Sequence, residues 1–198
     1  FLNSAFPKLD EETQLSAKTP LCFGEGYARE AYETHSVFHI SAMSYGALSA
    51  PAIQALSMGA AKAGILLNTG EGGLAPFHLH GQCDLVFQIG TAKYGVRNTD
   101  GTLSDEKLQE VASHTSVKMF EIKLSQGAKP GKGGILPAEK VTDVIASTRG
   151  IPMGQDSLSP NRHTDISSVD DLLNMIHRVR QVTGKPVGIK FVLGQPEW

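Results

Sequence analysis

The chain has 198 residues, of which 40% are hydrophobic and 19% charged, and its formal net charge is −2. This composition is typical of a globular domain with one substantial core and excludes a disordered or collagen-like protein. Because basic residues are not in excess and no apolar run approaches ~18 residues, we expect no nucleic-acid partner and no membrane segment. The isolated Cys22 and Cys83 indicate a reducing, cytoplasmic setting. The chain starts at Phe1 instead of Met, so we expect it to be a piece of a longer protein.

Residues 1–36 are polar and show no regular period, and we interpret them as an extended lead-in. Residues 37–198 are assigned to one α/β domain. In this part of the chain, short apolar runs alternate with helical patterns, which predicts a parallel sheet built from βα units, with its strands neighbours in chain order. The predicted strands lie at residues 37–40, 65–67, 85–89, 119–124 and 187–193.

Four helices are predicted between these strands. Ser49 is a good N-cap for the first and Gly64 stands where its C-cap is expected, and the others are predicted to begin at Ser104, Pro137 and Ser168. The apolar positions that define the buried face of the last helix are Leu172, Leu173, Ile176 and Val179.

Five strands with helical connections are compatible with an open flavodoxin-like sheet or with part of a (β/α)8 TIM barrel. The barrel is favoured because Gly, Ser, Lys and Gln cluster directly after the strand ends. A complete barrel needs ~250 residues, so this chain is predicted to be an incomplete barrel of about five parallel strands. We expect its open edge to be covered by a second copy in a homo-oligomer, by the lead-in or by further chain.

Two glycine- and serine-rich segments follow the first two predicted strands. In SAMSYGALS, residues 41–49, the small side chains allow the backbone to approach a flat ligand, and Met43 supplies apolar surface. A tight strand-to-helix turn is the alternative. In NTGEGG, residues 68–73, backbone N–H groups can converge on an anion, and Glu71 is an acceptor and candidate proton donor. A solvated glutamate in a glycine turn is the alternative.

The third segment, KLSQGAKPGKGG at residues 123–134, is the most specific. Lys123 lies inside an apolar strand, where an unpaired ammonium group is costly, so it requires an electron-rich partner. Gln126 and Lys129 add an amide and a second cation, and Lys190 repeats the pattern of a lysine within an apolar run. A lysine that extends its ammonium group to solvent from an edge strand is the alternative.

Residues 156–166 contain Arg162, His163 and Asp165. No serine elbow accompanies them, so orienting or lining roles are favoured over nucleophilic catalysis. The histidines match no zinc-ligand spacing, and no metal site is predicted.

In their order along the chain, these motifs resemble the FMN-binding (β/α)8 domain of the glutamate synthase family from about Val37 onward. The resemblance implies hydride transfer from reduced FMN to a 2-imino acid, formed from 2-oxoglutarate and ammonia or an ammonia-donating partner. It does not identify the electron donor. It implies that Glu71 and Lys129 are catalytic, and that both face the substrate together with Arg149. The implied FMN contacts are Ser41, Ala42, Met43, Asn68, Thr69, Gln88, Lys123, Gln126 and Lys190.

Several positions depart from the family pattern. Ile135 replaces a glutamine, Lys132 a glutamate, and Lys93 and Tyr94 an arginine and a phenylalanine. Ile135 predicts weak use of 2-oxoglutarate that an Ile135→Gln change improves. The pattern is more similar to stand-alone glutamate synthase-like proteins, and N-methylglutamate synthase is another relative.

The family's phosphate-binding segment and iron–sulfur cysteines correspond to sequence beyond this chain, so a cluster would require residues outside it. Two classes of function stay open. One is a flavin oxidoreductase whose N-terminal part is this chain, which we expect to be inactive in isolation. The other is a half-barrel that acts only in folding or interaction.

Overall fold

The computed structural model describes residues 16–127, 131, 133–192 and 194. The described chain begins with an antiparallel hairpin of β1 (Ser16–Phe23) and β2 (Tyr32–Ser36). The sequence analysis did not predict this hairpin, because the polar composition of residues 1–36 hides the strand alternation.

Six further strands follow the hairpin. They are β3 (Leu67–Asn68), β4 (Leu85–Ile89), β5 (Val117–Lys123), β6 (Gly134–Leu136), β7 (Ser157–Ser159) and β8 (Val187–Lys190). Strands β3, β4, β5 and β8 form a parallel sheet in that order, which confirms the predicted parallel pairing of neighbours in chain order. Strands β6 and β7 form an antiparallel hairpin that was not predicted.

In the described residues the parallel sheet has four strands, against the prediction of about five. The predicted first strand, residues 37–40, is reduced to a parallel bridge between Ile40 and Leu67. Val37 and Phe38 are 60% and 54% exposed, so this run has little packing on the side away from β3. Residues 37–40 could pair only with β3, and their side chains are largely exposed. They therefore lack the cross-strand side-chain contacts that would extend the bridge into a full strand.

The helices are α1 (Ala50–Ala63), α2 (Pro76–Leu79), α3 (Asp105–Ser113), α4 (Asp143–Arg149) and α5 (Val169–Thr183). The predicted caps at Ser49, Gly64, Ser104 and Ser168 are confirmed. The predicted helix start at Pro137 is wrong. Pro137 precedes a short 3-10 turn, and α4 begins after it because the Thr142 hydroxyl accepts the N–H of Ile145.

One face of the parallel sheet packs against α1, α3 and α5. Leu85, Phe87, Phe120 and Ile122 from the strands are fully buried there. Of the predicted buried face of α5, Val179 is buried and Leu172 and Ile176 pack against the core, but Leu173 is 47% exposed. The prediction that Leu173 is buried is wrong, because the helix turns Met175 toward the sheet instead. The helices therefore leave the other face of the sheet open.

The β1–β2 hairpin lies at the amino-terminal ends of the parallel strands. Tyr32 donates a hydrogen bond to the Asp84 carboxylate (2.8 Å), just before β4. The Glu30 N–H donates to the carbonyl of Gly184 (2.9 Å), just before β8. Gly24 packs so closely against Pro186 that a Cβ would lie 2.8 Å from its ring. The carboxyl-terminal ends of the strands are thus left for a site.

Candidate active site

Four predicted site residues lie at the carboxyl-terminal ends of the parallel strands. Asn68 and Lys123 are the last residues of β3 and β5, Gln88 precedes the last residue of β4, and Lys190 ends β8. Because side chains alternate along a strand, these residues project to the face that the helices leave open. Parallel pairing therefore gathers residues that are distant in sequence at one edge.

A hydrogen-bonded chain links Lys123, Gln126 and Glu71. The Lys123 ammonium donates to Gln126 Oε1 (2.9 Å) and lies 3.6 Å from Glu71 Oε2. The Gln126 amide nitrogen donates to the same Glu71 oxygen. Glu71 Oε1 has no donor among the described residues, so it is the oxygen left to meet a ligand.

A second set of polar contacts crosses the open face between neighbouring strands. Asn68 Nδ2 donates to Glu121 Oε1 (2.9 Å). In the orientation that satisfies its neighbours, the Gln88 amide donates to the same oxygen and accepts from the Glu71 N–H (both 3.1 Å). The Thr69 hydroxyl accepts the N–H of Gln88 (3.1 Å). These contacts connect β3, β4 and β5 to the loop that carries Glu71.

Glu121 was not predicted as a site residue from the sequence. Its signal was present, because a carboxylate inside an apolar strand, two residues before Lys123, must lie on the same face as that lysine.

The segment 41–46 packs directly on the loop that follows β3. The Met43 N–H donates to the carbonyl of Asn68 (3.0 Å). Gly70 has φ of +68°, and a Cβ there would lie 2.7 Å from the backbone nitrogen of Ser44. The buried His78 ring holds the Met43 carbonyl through Nε2 (2.8 Å). The glycine is therefore required by close backbone approach, and the segment with Ser41 and Ala42 is brought beside β3.

A cavity of about 270 Å³ lies on the open face of the sheet. Its polar side chains are His39, Ser41, Asn68, Glu121 and Lys190, and Phe23 of β1 is among the apolar residues that line it. Within the described part of the chain, the Lys190 ammonium has no hydrogen-bond or ion-pair partner.

Lys190 is also in direct register with Lys123 on the neighbouring strand. Two adjacent cations at one strand edge favour an anionic or electron-rich ligand.

Arg149 at the end of α4 is 5% exposed and lies behind the Glu71 loop. It donates to the Ser157 hydroxyl (2.9 Å), which donates in turn to the Tyr94 hydroxyl (2.8 Å). Burial lowers the pKa of its guanidinium, while Tyr94 and Glu71 act in the opposite direction. Its Nε atom is buried without a partner among the described residues. The structure thus brings Arg149 into electrostatic contact with Glu71 but not into an ion pair.

Lys129, the remaining predicted site residue, lies outside the described residues, as does Lys132. Ile135 is described, and its position differs from the expectation. A Cβ on Gly134 would lie 3.2 Å from Glu71 Oε1, so Gly134 faces the site. By strand alternation Ile135 faces away; it is 61% exposed and pairs across the hairpin with the exposed Leu158.

The sequence expectation that Ile135→Gln improves the use of 2-oxoglutarate is therefore revised. We expect any KM for that oxo acid in the full-length variant to lie within about twofold of the parent, as for an exposed substitution. Had the side chain reached the substrate, a new charge-assisted hydrogen bond would improve affinity by about tenfold to a hundredfold. Leu158→Gln is the matched control, since it makes the same change on the paired strand. A tenfold fall in KM for Ile135→Gln, with no change for Leu158→Gln, would show that Ile135 faces the substrate.

Within the described residues, no group of three or more His, Cys, Asp or Glu side chains is arranged to hold a metal ion. The helices of that same part of the chain include none that combines the length and apolarity needed to cross a bilayer.

Comparison with known proteins identifies the sequence family. The family model described as a conserved region in glutamate synthase matches residues 6–197. A glutamate synthase large subunit-like protein, YerD, from Bacillus subtilis is 41% identical over 88% of this chain and 33% of its own length. An archaeal glutamate synthase [NADPH] from Archaeoglobus fulgidus is 43% identical over 84% of this chain and 30% of its own. A glutamate synthase large subunit-like protein from Rhizobium meliloti is 33% identical, with 87% and 36% covered. The chain thus spans about a third of the length of these relatives.

Proposed function

This chain belongs to the glutamate synthase family, and from that premise we propose that it is the part of an FMN-dependent oxidoreductase that carries the flavin and substrate contacts. The proposed reaction is hydride transfer to a 2-imino acid, formed from 2-oxoglutarate and ammonia. Its four parallel strands are proposed to continue into a (β/α)8 barrel, in which catalytic residues lie at the carboxyl-terminal face. When bound, FMN supplies the hydride.

The observation that carries this proposal is the linked set of Lys123, Gln126 and Glu71 at the carboxyl edge, with Lys190 in register beside it. A lysine side chain there can stabilise negative charge that develops on a reduced ring system. The amide of Gln126 keeps Lys123 and Glu71 in fixed relation, so that a ligand meets a positioned cation and a positioned carboxylate.

The residues of the cavity fit a flat, electron-rich ligand. The Lys190 ammonium has no partner in the described chain, and Asn68 and Ser41 add polar groups near the backbone of residues 41–43. That backbone carries small residues at Ser41 and Ala42, which permits close approach to a ring. Met43 adds apolar surface, and Thr69 and Gln88 hold the strand ends that carry these groups.

On the substrate side, Glu71 is proposed to hold or move a proton at Oε1, because Oε2 is occupied by Gln126 and Lys123. Lys129 and Arg149 are the proposed cations for the carboxylates of the oxo acid. For Arg149, the support is its buried charge beside the Glu71 loop and its unpartnered Nε atom.

The proposed partners of the full-length protein are 2-oxoglutarate, ammonia or an ammonia-donating protein, and an electron donor. Six of the matched relatives carry NADPH in their names, which makes a nicotinamide donor the first to test. The proposed location is the cytoplasm, which the two free cysteines support because a reducing compartment keeps thiols reduced.

The test is to purify the full-length protein, record its visible spectrum and identify any released flavin. We expect FMN in about one copy per chain, and glutamate formation from 2-oxoglutarate and ammonium with reduced FMN. A protein that neither retains flavin nor binds added FMN would contradict the proposal and favour a role in folding or interaction.

A further inference from the structure

Residues 160–165, which follow β7, are fixed to the ends of two strands of the parallel sheet. The Thr91 hydroxyl, just after β4, donates to the carbonyl of Pro160 (2.6 Å). The Gln126 N–H, just after β5, donates to the carbonyl of Asn161 (2.9 Å). The segment therefore spans the edge at which the candidate site lies.

An ion pair between the buried Lys93 and the exposed Asp165 fixes the far end of the same segment. The side chain of Lys93 is 2% exposed, and its ammonium lies 2.9 Å from Asp165 Oδ1. Lys93 adopts φ of +54°, in the left-handed region that few non-glycine residues occupy. A non-glycine residue keeps this conformation only where the surrounding structure fixes it. The ion pair connects that fixed lysine to Asp165, so it restrains the end of the segment.

His163 lies between these anchors and is 1% exposed. Its Nε2 atom is 2.9 Å from the backbone carbonyl of Lys123. A carbonyl oxygen can only accept, so Nε2 carries the hydrogen and donates it. The Nδ1 atom is buried and has no partner among the described residues. Burial and, less strongly, the charge of Lys93 lower the pKa of the ring, which is consistent with its neutral form.

The carbonyl that accepts from His163 belongs to Lys123, the last residue of β5. The ladder between β4 and β5 ends at the pair Ile89–Ile122, so Lys123 extends past the end of β4. On the other side β8 still holds this peptide, because the Leu124 N–H donates to the carbonyl of Lys190 (3.0 Å). His163 therefore supplies the contact on the side that β4 leaves open. The rotation of the peptide after Lys123 sets where its ammonium and the Gln126 amide stand. Both groups contact Glu71.

We propose that His163 is a positioning residue: by donating from Nε2 to the Lys123 carbonyl, it fixes the Lys123 ammonium and the Gln126 amide beside Glu71. The hydrogen bond is observed in the structure, whereas its consequence for FMN binding rests on the proposed function. For this segment the sequence favoured orienting or lining roles over nucleophilic catalysis, and we assign the orienting role to Nε2 of His163.

The experiment compares the full-length parent with His163→Gln and His163→Leu. Glutamine can place an amide nitrogen near the position of Nε2 and keep the donor, while leucine fills similar volume without one. The primary readout is the rate at which acetic anhydride modifies Lys123, followed by mass spectrometry relative to the exposed Lys62 on α1. This readout needs no flavin.

In His163→Leu we expect the relative modification of Lys123 to rise about tenfold, the typical effect of one lost hydrogen bond. In His163→Gln we expect a value within about twofold of the parent. Parental protection of Lys123 in a folded His163→Leu would overturn the proposal, and so would a His163→Gln variant that behaves like leucine.

Should His163→Leu fail to fold, nitrogen-15 NMR of the parent histidines decides. A neutral ring protonated at Nε2 is expected, and a ring protonated at Nδ1 or at both nitrogens would overturn the proposal.

Titration with FMN then separates the two proposals. We expect about tenfold weaker FMN binding in His163→Leu and recovery in His163→Gln. A parent that binds no FMN contradicts the proposed function, while the Lys123 modification rates still decide the role of His163. A parent that binds FMN, with equal affinity in His163→Leu, overturns the role of His163 alone.

Discussion

In the full-length protein, Glu71→Gln is expected to lower kcat by about 100-fold to 10,000-fold, the range attributed to a positioned general acid or base. The substitution keeps the shape of the side chain, and its amide oxygen can still accept from Gln126. It removes the ionisable oxygen Oε1, at which we propose that a proton is held. The measurement is steady-state formation of glutamate under saturating 2-oxoglutarate and ammonium.

Two controls separate chemistry from folding. Glu110→Gln makes the same change on the exposed face of α3 and should retain parental kcat. The visible flavin spectrum of Glu71→Gln should match the parent, because Glu71 faces the substrate side in this assignment. A Glu71→Gln variant that keeps more than a tenth of parental kcat would show that no proton passes through Glu71.

Lys190→Met is expected to lower the reduction potential of bound FMN by about 30–60 mV. The Lys190 ammonium has no partner in the described chain and lines the cavity, so its charge is available to the reduced ring. One charge-assisted contact contributes about 1.5–3 kcal/mol, and 30 mV corresponds to about 1.4 kcal/mol for two electrons. Turnover should slow in the same variant, and redox titration followed by absorbance gives the potential.

The matched control is Lys118→Met on the neighbouring strand. Lys118 lies near the amino-terminal end of β5 and forms an ion pair with Asp84 (3.8 Å), at the opposite end of the sheet from Lys190. It should leave the potential unchanged. Equal potentials for Lys190→Met and the parent would show that Lys190 does not stabilise reduced FMN. Lys123 would then be the nearest candidate for that role.

The local elements of this chain were predictable where short-range signals act alone. The caps at Ser49 and Ser168 follow from hydroxyl groups that satisfy free N–H groups one turn later. The alternation of apolar runs and helical patterns predicted the parallel sheet and its strand order. Signals of this kind depend on residues that are close in sequence, so they can be detected without knowledge of the tertiary structure.

The errors occur where packing decides. The run at 37–40 has strand composition, but with little packing on its outer side only Ile40 forms a bridge. Leu173 satisfies the helical period of α5, yet the angle at which the helix docks turns Met175 inward instead. The composition of a segment does not show whether a strand has a neighbour on its outer side. It also does not show how a helix is rotated where it packs on a sheet.

For the site, the sequence by itself determined which residue types follow which strands, and it selected Lys123, Gln126 and Glu71 from motifs that are far apart in the chain. Only the tertiary structure decided which of their atoms meet, that Glu121 joins them and that Ile135 faces away. Motif order reflects strand order, which local hydrophobic patterns encode. Side-chain contacts depend on the pleat, the register and the long connection from β5 to β8, and none of these is encoded by neighbouring residues alone.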